Sequence, residues 1–395
     1  MSIAQLVEEY RGRMAASTGG FRSFDPIYRD LSSRIDVSEY PETTFLAHDL
    51  LYWSGQSELA AQALEKGVSR HPSNTLMKIM GAQRGIDAGR FSLVRDMARQ
   101  IAKIDPKAMS EQEARNACRV FSAIGHHQRA RDFFLHLREQ RAEFATGHLG
   151  RRLDAAISNK SLVDGISVYS IGEDCRPWLV LNRWGLRDDP SRADLMTPFT
   201  LEATKTKTVT GYLLNDGIPV TEGLEVVPER DGNDLPVNWQ MDIMFNHNRG
   251  PYWYAGHFLK LRELYFQRHM NLMASFNAGP RVYVHYSHFA GADLNAIVDA
   301  LKSRQQNANY RIAVISGAPD APECLDDLSV AYGKVSEPAP PFTWFAPESF
   351  ESERGIQYEA EIASVAKAAI ADLRGSQGLG FKLNAAKRRL SRRAL

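Results

Sequence analysis

The sequence has few cysteines and no long apolar run. Its 395 residues include three cysteines, Cys118, Cys175 and Cys324, which lie far apart and form no CxxC pair. A disulfide framework, a zinc site or another metal site is therefore not expected, and no motif calls for a cofactor. No stretch approaches the ~20 apolar residues of a membrane span, and the N-terminal MSIAQLVEEYRGRM carries acids where a secretion signal would be apolar. These absences predict a cytoplasmic protein.

An excess of charge of either sign is also missing. The chain has 48 Lys and Arg against 47 Asp and Glu, a formal net charge of +1. This balance gives no reason to expect nucleic acid as a partner. The hydrophobic content of 44% and charged content of 24% are those of an ordinary globular protein. The length suggests at least two domains.

The first part of the chain is helical in pattern. Residues 1–40 predict a leading helix followed by a loop, and residues 41–158 contain a repeat. The repeated positions are Gly55, Ala60, Leu64 and Pro72, then Gly89, Val94, Ala98 and Pro106 after 34 residues, and then Gly125, Ala130 and Phe134. This period resembles the tetratricopeptide repeat, which implies stacked helical hairpins that bind a protein or peptide partner. An unrelated array of hairpins would present the same kind of surface.

The second part, residues 159–380, predicts an α/β domain. In GISVYSIGEDCRPWLVLNRWGL the hydrophobic period changes from that of a strand to that of a helix at Cys175. Pro177 fits the first helical turn and Gly185 ends the run. A thiol at a helix N-terminus is expected to have a lowered pKa and to be nucleophilic. A small buried cysteine at a strand-to-helix join would give the same pattern.

Further elements follow this helix. TVTGYLLNDGIPV, LEVVPERDG and NWQMDIMFNHNRG predict short strands or strand-turn units, and a long amphipathic helix is predicted from Tyr254 to Phe276. RVYVHYSHF, GADLNAIVDALKSRQQ and YRIAVISG then predict a strand, a helix and a strand. Such a unit implies parallel strands with a right-handed crossover. We therefore expect helical repeats followed by an α/β domain with a central, at least partly parallel sheet.

Several blocks of the second part resemble a bacterial family of papain-like cysteine peptidases, a domain of unknown function. These blocks are SIGEDCRPWLVLNRWGL, the later TPF and FNH, the long helix and RVYVHYS. The resemblance covers residues 165–317, and the chain departs from it at Thr200 and Leu201, where the family has Asp and Trp. The matching positions are Ser170, Gly172, Cys175, Gly185, Leu186, Pro198, Phe199 and His247. The resemblance implies a site of Cys175 and His247.

In a Cys/His site the imidazole takes the thiol proton and a third group orients the ring. Asn248, Asp242 and Asp174 are the candidate orienting groups, with Asn248 grouped with the catalytic pair. The candidates for substrate contacts are Asp174, Pro198, Phe199, His285 and His288. His285 and His288 follow one strand and could equally be structural.

The resulting hypothesis is a cysteine-dependent hydrolase or acyl-transfer enzyme acting on an acyl or glycan substrate. The alternatives are a non-catalytic binding or assembly protein, and a glycan-modifying enzyme linked to cell-surface polysaccharide production.

Two segments are not part of these hypotheses. PAPPFTWFAP predicts either a strap that packs its rings on its own domain or a docking segment. The basic tail, residues 381–395, could make peripheral contact with an anionic membrane, or be a solvated end.

Overall fold

The computed structural model describes residues 2–16, 24–54, 56–87, 91–140, 147–187, 192–215, 217, 220–228, 234–325, 327, 329–344 and 346–391. The helices are α1 (Ile3–Ala15), α2 (Phe24–Arg34), α3 (Pro41–Trp53), α4 (Ser57–Arg70), α5 (Thr75–Asp87), α6 (Phe91–Ile101), α7 (Glu111–Ala123), α8 (His127–Gln140), α9 (His148–Val163), α10 (Arg176–Arg183), α11 (Thr206–Leu214), α12 (Pro251–Ser275), α13 (Leu294–Arg304), α14 (Pro347–Phe350) and α15 (Glu353–Ser391). The strands are β1 (Ser167–Ser170), β2 (Glu225–Val227), β3 (Leu235–Asn238), β4 (Ile243–Met244), β5 (Arg281–Ser287), β6 (Tyr310–Ser316) and β7 (Ala331–Lys334). The fold is mixed α/β, as the sequence predicts.

The chain divides into two compact units. The first consists of Met1–Leu153 and Pro219–Phe266, and the second of Asp154–Ile218 and Gln267–Leu395. The boundary expected from the sequence near Asn159 falls within α9, where the buried Asn159 side chain donates a hydrogen bond to the carbonyl oxygen of Trp184 at 2.9 Å. In the described part of the chain, no helix has both the length and the apolar character needed to span a bilayer.

In the first unit, α3 packs on α4, α5 on α6 and α7 on α8, so that three helical hairpins follow one another. Their shared core includes Leu64, Val94 and Phe121, and each of these side chains is completely buried. Residues 24–34 form α2, where the sequence predicts a loop. The same unit holds an antiparallel sheet of β2, β3 and β4.

The second unit is built on a four-stranded sheet of order β1-β5-β6-β7 in which every pairing is parallel. The predicted β5–α13–β6 unit is confirmed. Helices α10 and α15 cover one face of this sheet, where Val168, Val284 and Ile315 meet Leu181 and Ile362. Because all four strands are parallel, their carboxyl ends lie at the same edge of the sheet.

Three segments differ from the sequence expectations or complete them. Thr206–Leu214 forms helix α11, and the expectation of a strand there is wrong. Phe342 and Trp344 of the Pro-rich segment pack against the core of the second unit, which confirms the strap. The backbone of α15 continues to Ser391, but the side chains of the basic tail and residues 392–395 lie outside the described residues.

Candidate functional site at the carboxyl edge of the parallel sheet

A group of polar side chains in the second unit lies where β1 and β5 end. Residues 171–176 follow β1, and residues 288 and 289 follow β5. The two strands are paired, with Ser170 opposite Val284. The carboxyl edge of a parallel sheet is the usual place for ligands in α/β folds, because the loops that follow the strands converge there.

Cys175 caps the N-terminus of α10, and Pro177 occupies its first turn, as predicted. The Asp174 carboxylate accepts a hydrogen bond from the backbone N–H of Arg176 at 2.8 Å. The half-buried thiol nevertheless has a raised pKa of about 12, because burial disfavours the thiolate and the charges of Asp174 and Glu202 repel it. The expected lowering of this pKa is wrong: the helix N-terminus is outweighed by burial and by two neighbouring carboxylates.

Glu173 is the most heavily bonded carboxylate of the edge, and its side chain is buried. One oxygen accepts from the Thr206 N–H at 2.8 Å and the Thr206 hydroxyl at 2.6 Å. The other accepts from the backbone N–H groups of His288 at 2.7 Å and Phe289 at 3.0 Å. Burial acts to raise the pKa of Glu173, but these hydrogen bonds outweigh it and lower the pKa. Glu173 thus joins the end of β1, the end of β5 and the start of α11.

His288 follows β5 with a side chain that is 27% exposed. Its Nδ1 lies 3.7 Å from a carboxylate oxygen of Glu173 and 3.7 Å from one of Asp174. This nitrogen is buried and has no hydrogen-bond partner among the described residues. Two negative oxygens favour a proton on Nδ1, which leaves Nε2 with its lone pair. His288 therefore lies near two carboxylates without a hydrogen bond from Nδ1 to either of them, and the nearer Asp174 oxygen is also paired with Arg176 at 3.3 Å.

His285 has a different environment, because it is completely buried within the sheet. Its Nδ1 lies 2.9 Å from the carbonyl oxygen of Ile171, and its Nε2 lies 3.0 Å from the Thr206 hydroxyl. Burial lowers the pKa of His285, so the ring is neutral and donates from Nδ1 to the carbonyl. This histidine holds β5 to the residues after β1 and exposes no atom to a ligand.

Pro198 and Phe199 are buried, and Phe199 packs edge-on against the Tyr212 ring with centroids 5.0 Å apart. Beside them, the hydroxyls of Thr197 and Thr200 donate to the carbonyl oxygen of Ser170 at 2.9 and 3.2 Å. Thr200, at one of the two positions where the chain departs from the resembled family, thus fastens this loop to β1. The two predicted substrate contacts support the edge from within the core and offer no surface.

His247 and Asn248 belong to the first unit, whereas Cys175 belongs to the second. His247 is exposed in the turn after β4. Asn248 is buried, and its side-chain oxygen accepts from the Tyr265 hydroxyl at 3.3 Å. The pairing of Cys175 with His247 and Asn248 stays a prediction.

Sequence reasoning missed Glu173 and Glu202. Glu173 directly precedes Asp174, and an acidic pair after a buried strand was a usable signal for this edge. Glu202 forms a buried ion pair with Arg268 at 2.5 Å, and nothing in the local pattern of the sequence indicates it. Within the described residues, no three His, Cys, Asp or Glu side chains are grouped in a way that could hold a metal ion.

No family model matches the sequence, and no curated protein and no solved structure is significantly similar to it. The inference of function therefore depends on the geometry of the edge itself.

Proposed function

We propose that the chain is a hydrolase or acyl-transfer enzyme whose site is the carboxyl edge of the parallel sheet. The observation that carries the proposal is the position of His288, whose Nδ1 lies 3.7 Å from the carboxylates of both Glu173 and Asp174. Asp174 immediately precedes Cys175, so the thiol follows in the chain an acidic residue whose carboxylate lies 3.7 Å from the His288 imidazole. A nucleophile, a base and an orienting acid are the parts of an acyl-transfer site.

In this proposal the Nε2 of His288 accepts the proton of the Cys175 thiol as the sulfur attacks an acyl carbon. The Asp174 and Glu173 carboxylates, each with an oxygen 3.7 Å from Nδ1, stabilise the imidazolium that forms. The imidazolium then gives its proton to the leaving group, which departs and leaves a thioester on Cys175. Water or another acceptor attacks the thioester and regenerates the thiol. Because the pKa of the thiol is raised to about 12, the proton must be removed during the attack and not before it.

A second candidate is a non-catalytic binding or assembly protein. The same raised pKa favours it, since a thiol with a pKa of about 12 leaves little thiolate at neutral pH. The three helical hairpins of the first unit would then supply the surface for a protein or peptide partner. A cytoplasmic location stays a prediction from the sequence under either candidate, as does a role in polysaccharide production.

Turnover of a panel of peptides, acyl esters and glycans tests the two candidates. The variants are Cys175→Ser, His288→Gln and, as a matched control on an exposed histidine, His247→Gln. We expect Cys175→Ser and His288→Gln to lose about a hundredfold or more in kcat/KM, while His247→Gln keeps its activity. Full activity in Cys175→Ser refutes the enzyme, and loss in His247→Gln with His288→Gln intact moves the base to His247. A wild type with no turnover that binds a partner through its hairpins supports the second candidate.

A further inference from the structure

A buried cation directly follows Cys175 in the chain and has no role in the chemistry given above. Arg176 begins helix α10, and its side chain is only 5% exposed. Its Nη1 donates to the Tyr286 hydroxyl at 2.6 Å and to the Tyr358 hydroxyl at 2.5 Å. These two hydroxyls lie 2.9 Å apart. Strand β5 and helix α15 therefore both hold the guanidinium.

The Pro-rich strap covers the same guanidinium. Glu337, directly before the strap, has a carboxylate oxygen 3.2 Å from Nη1 of Arg176. The Trp344 ring of the strap and the Tyr286 ring each have their centroid 4.8 Å from the guanidinium carbon. A planar guanidinium suits these surroundings, because its face stacks on aromatic rings while its edge donates to oxygen atoms. The strap thus adds a carboxylate and a ring to the contacts that hold Arg176.

Arg176 in turn fixes the carboxylate of Asp174. Its backbone N–H donates to Oδ1 of Asp174 at 2.8 Å, and its Nη2 lies 3.3 Å from Oδ2. Because one residue engages both oxygens, the carboxylate has little freedom to rotate. The Oδ2 that is held in this way is the oxygen that lies 3.7 Å from Nδ1 of His288.

We propose that Arg176 is a positioning residue that holds the Asp174 carboxylate beside His288, and that the strap contributes by holding Arg176. This inference rests on the proposed function, in which His288 is the base. Each step between the strap and the imidazole is a contact between side chains of the second unit: Glu337 or Trp344 with Arg176, Arg176 with Asp174, and Asp174 with His288. A supporting residue of this kind sets how precisely a reacting group is placed.

Steady-state kinetics of Arg176→Met separate positioning from charge, because the two effects have opposite signs. Loss of the positive charge by itself favours the imidazolium of His288 and would raise kcat. A displaced Asp174 carboxylate lowers kcat, and we expect a fall of about tenfold or more, since a misplacement of about 1 Å can cost about a hundredfold. KM should change by less than about twofold, because the buried guanidinium is placed to act in the chemical step and not in binding.

The matched control is Arg183→Met, which removes a second guanidinium of α10. Arg183 is 11% exposed, pairs with Glu359 and lies 3.8 Å from the centroid of the Phe350 ring. It is seven residues farther along the helix, about 10 Å from Arg176 along the helix axis. This variant should keep the wild-type kcat and KM.

A second measurement needs no turnover. The tautomer of a neutral imidazole depends on the partner of each ring nitrogen, and nitrogen-15 shifts of labelled histidine report it. The His288 signal is identified by its absence in His288→Gln. In the wild type and in Arg183→Met we expect the Nδ1–H form to predominate, and in Arg176→Met we expect a shift toward the Nε2–H form.

A variant of the strap side keeps the proposal testable if Arg176→Met does not fold. Glu337→Ala removes a carboxylate that is 41% exposed and should shift the His288 tautomer in the same direction but less far. Glu323→Ala is its control, because it removes an exposed carboxylate that is paired with Lys334. This control should leave the tautomer unchanged.

A folded Arg176→Met with the wild-type tautomer, or with an unchanged or higher kcat, would overturn the proposal, as would equal changes in Arg183→Met. If Arg176→Met does not fold, a wild-type tautomer in Glu337→Ala overturns it. The result is separable from the proposed function, because the tautomer reports the hold of Arg176 on Asp174 even if no substrate is turned over. Turnover that survives Cys175→Ser would refute the function while leaving the tautomer result standing.

Discussion

Replacing Glu173 by glutamine should destabilise the second unit strongly, because its carboxylate accepts four hydrogen bonds inside the protein. Two come from Thr206 at 2.8 and 2.6 Å, one from the His288 N–H at 2.7 Å and one from the Phe289 N–H at 3.0 Å. A glutamine offers one oxygen and one NH2 group, so two of these donors lose their acceptor. A buried donor without an acceptor costs about 1 to 3 kcal/mol, so two such donors predict a loss of about 2 to 6 kcal/mol in the free energy of unfolding.

The pH dependence gives this prediction its sign. The folded state lowers the pKa of Glu173 below that of an ordinary glutamate, so its stabilising effect is complete above the unfolded-state pKa and is lost as the pH falls through the folded pKa. Glu173→Gln has no such group to protonate. The difference between the two proteins should therefore be largest at neutral pH and should shrink in acid.

Urea denaturation at neutral and at acid pH measures both quantities. Thr206→Val is the control: it removes one hydroxyl, which donates to the same carboxylate and also lies 3.0 Å from His285 Nε2, and it should cost about 1 to 2 kcal/mol. A loss below about 1 kcal/mol in Glu173→Gln at neutral pH, or a difference that is the same at both pH values, would refute the reasoning that Glu173 fastens this edge as a charged acceptor.

Two further substitutions test the packing that supports the edge. Gly185 has φ +63, and a Cβ added there would lie 2.2 Å from the Ala156 carbonyl oxygen, whereas Gly165 has φ +70 and open space around it. Gly185→Ala should therefore cost about 2 kcal/mol more in the free energy of unfolding than Gly165→Ala, measured by urea denaturation. Equal costs would contradict the close approach of α9 and α10. Arg281 is completely buried. Its guanidinium donates to the carbonyl oxygen of Phe276 at 2.7 Å and to a carbonyl oxygen in the loop that precedes Arg281 in the chain. Arg281→Lys should lose about 3 kcal/mol by the same assay because fewer of these carbonyls keep a donor, and a loss below about 1 kcal/mol would show that they do not depend on the guanidinium.

Local patterns in the sequence were sufficient for the elements whose cause is local. The helix that starts after Cys175, with Pro177 in its first turn and Gly185 at its end, follows from capping and backbone preferences. The parallel β5–α13–β6 unit follows from hydrophobic periodicity. Each of these could be predicted because the residues that determine the element lie within it.

The parts that escaped prediction depend on distant residues. Thr206–Leu214 is rich in β-branched and aromatic residues, which favour a strand, but the Glu173 carboxylate accepts from the Thr206 N–H and supplies the cap of helix α11. The position of Cys175 at a helix terminus predicts a lowered pKa of its thiol. The opposing charge of Glu202 could not be predicted, because the two residues are 27 positions apart in the sequence. His288 becomes a candidate base only once β1 and β5 are known to be neighbours.

The most direct test of the central claim, that Cys175 and His288 act as one unit, is a double-mutant cycle on kcat/KM with Cys175→Ser, His288→Gln and both together. If each residue activates the other, the double variant should be worse than either single variant by no more than about threefold. The corresponding cycle of Cys175→Ser with His247→Gln should show no coupling. Additive losses for Cys175 and His288, or strong coupling between Cys175 and His247, would contradict the account.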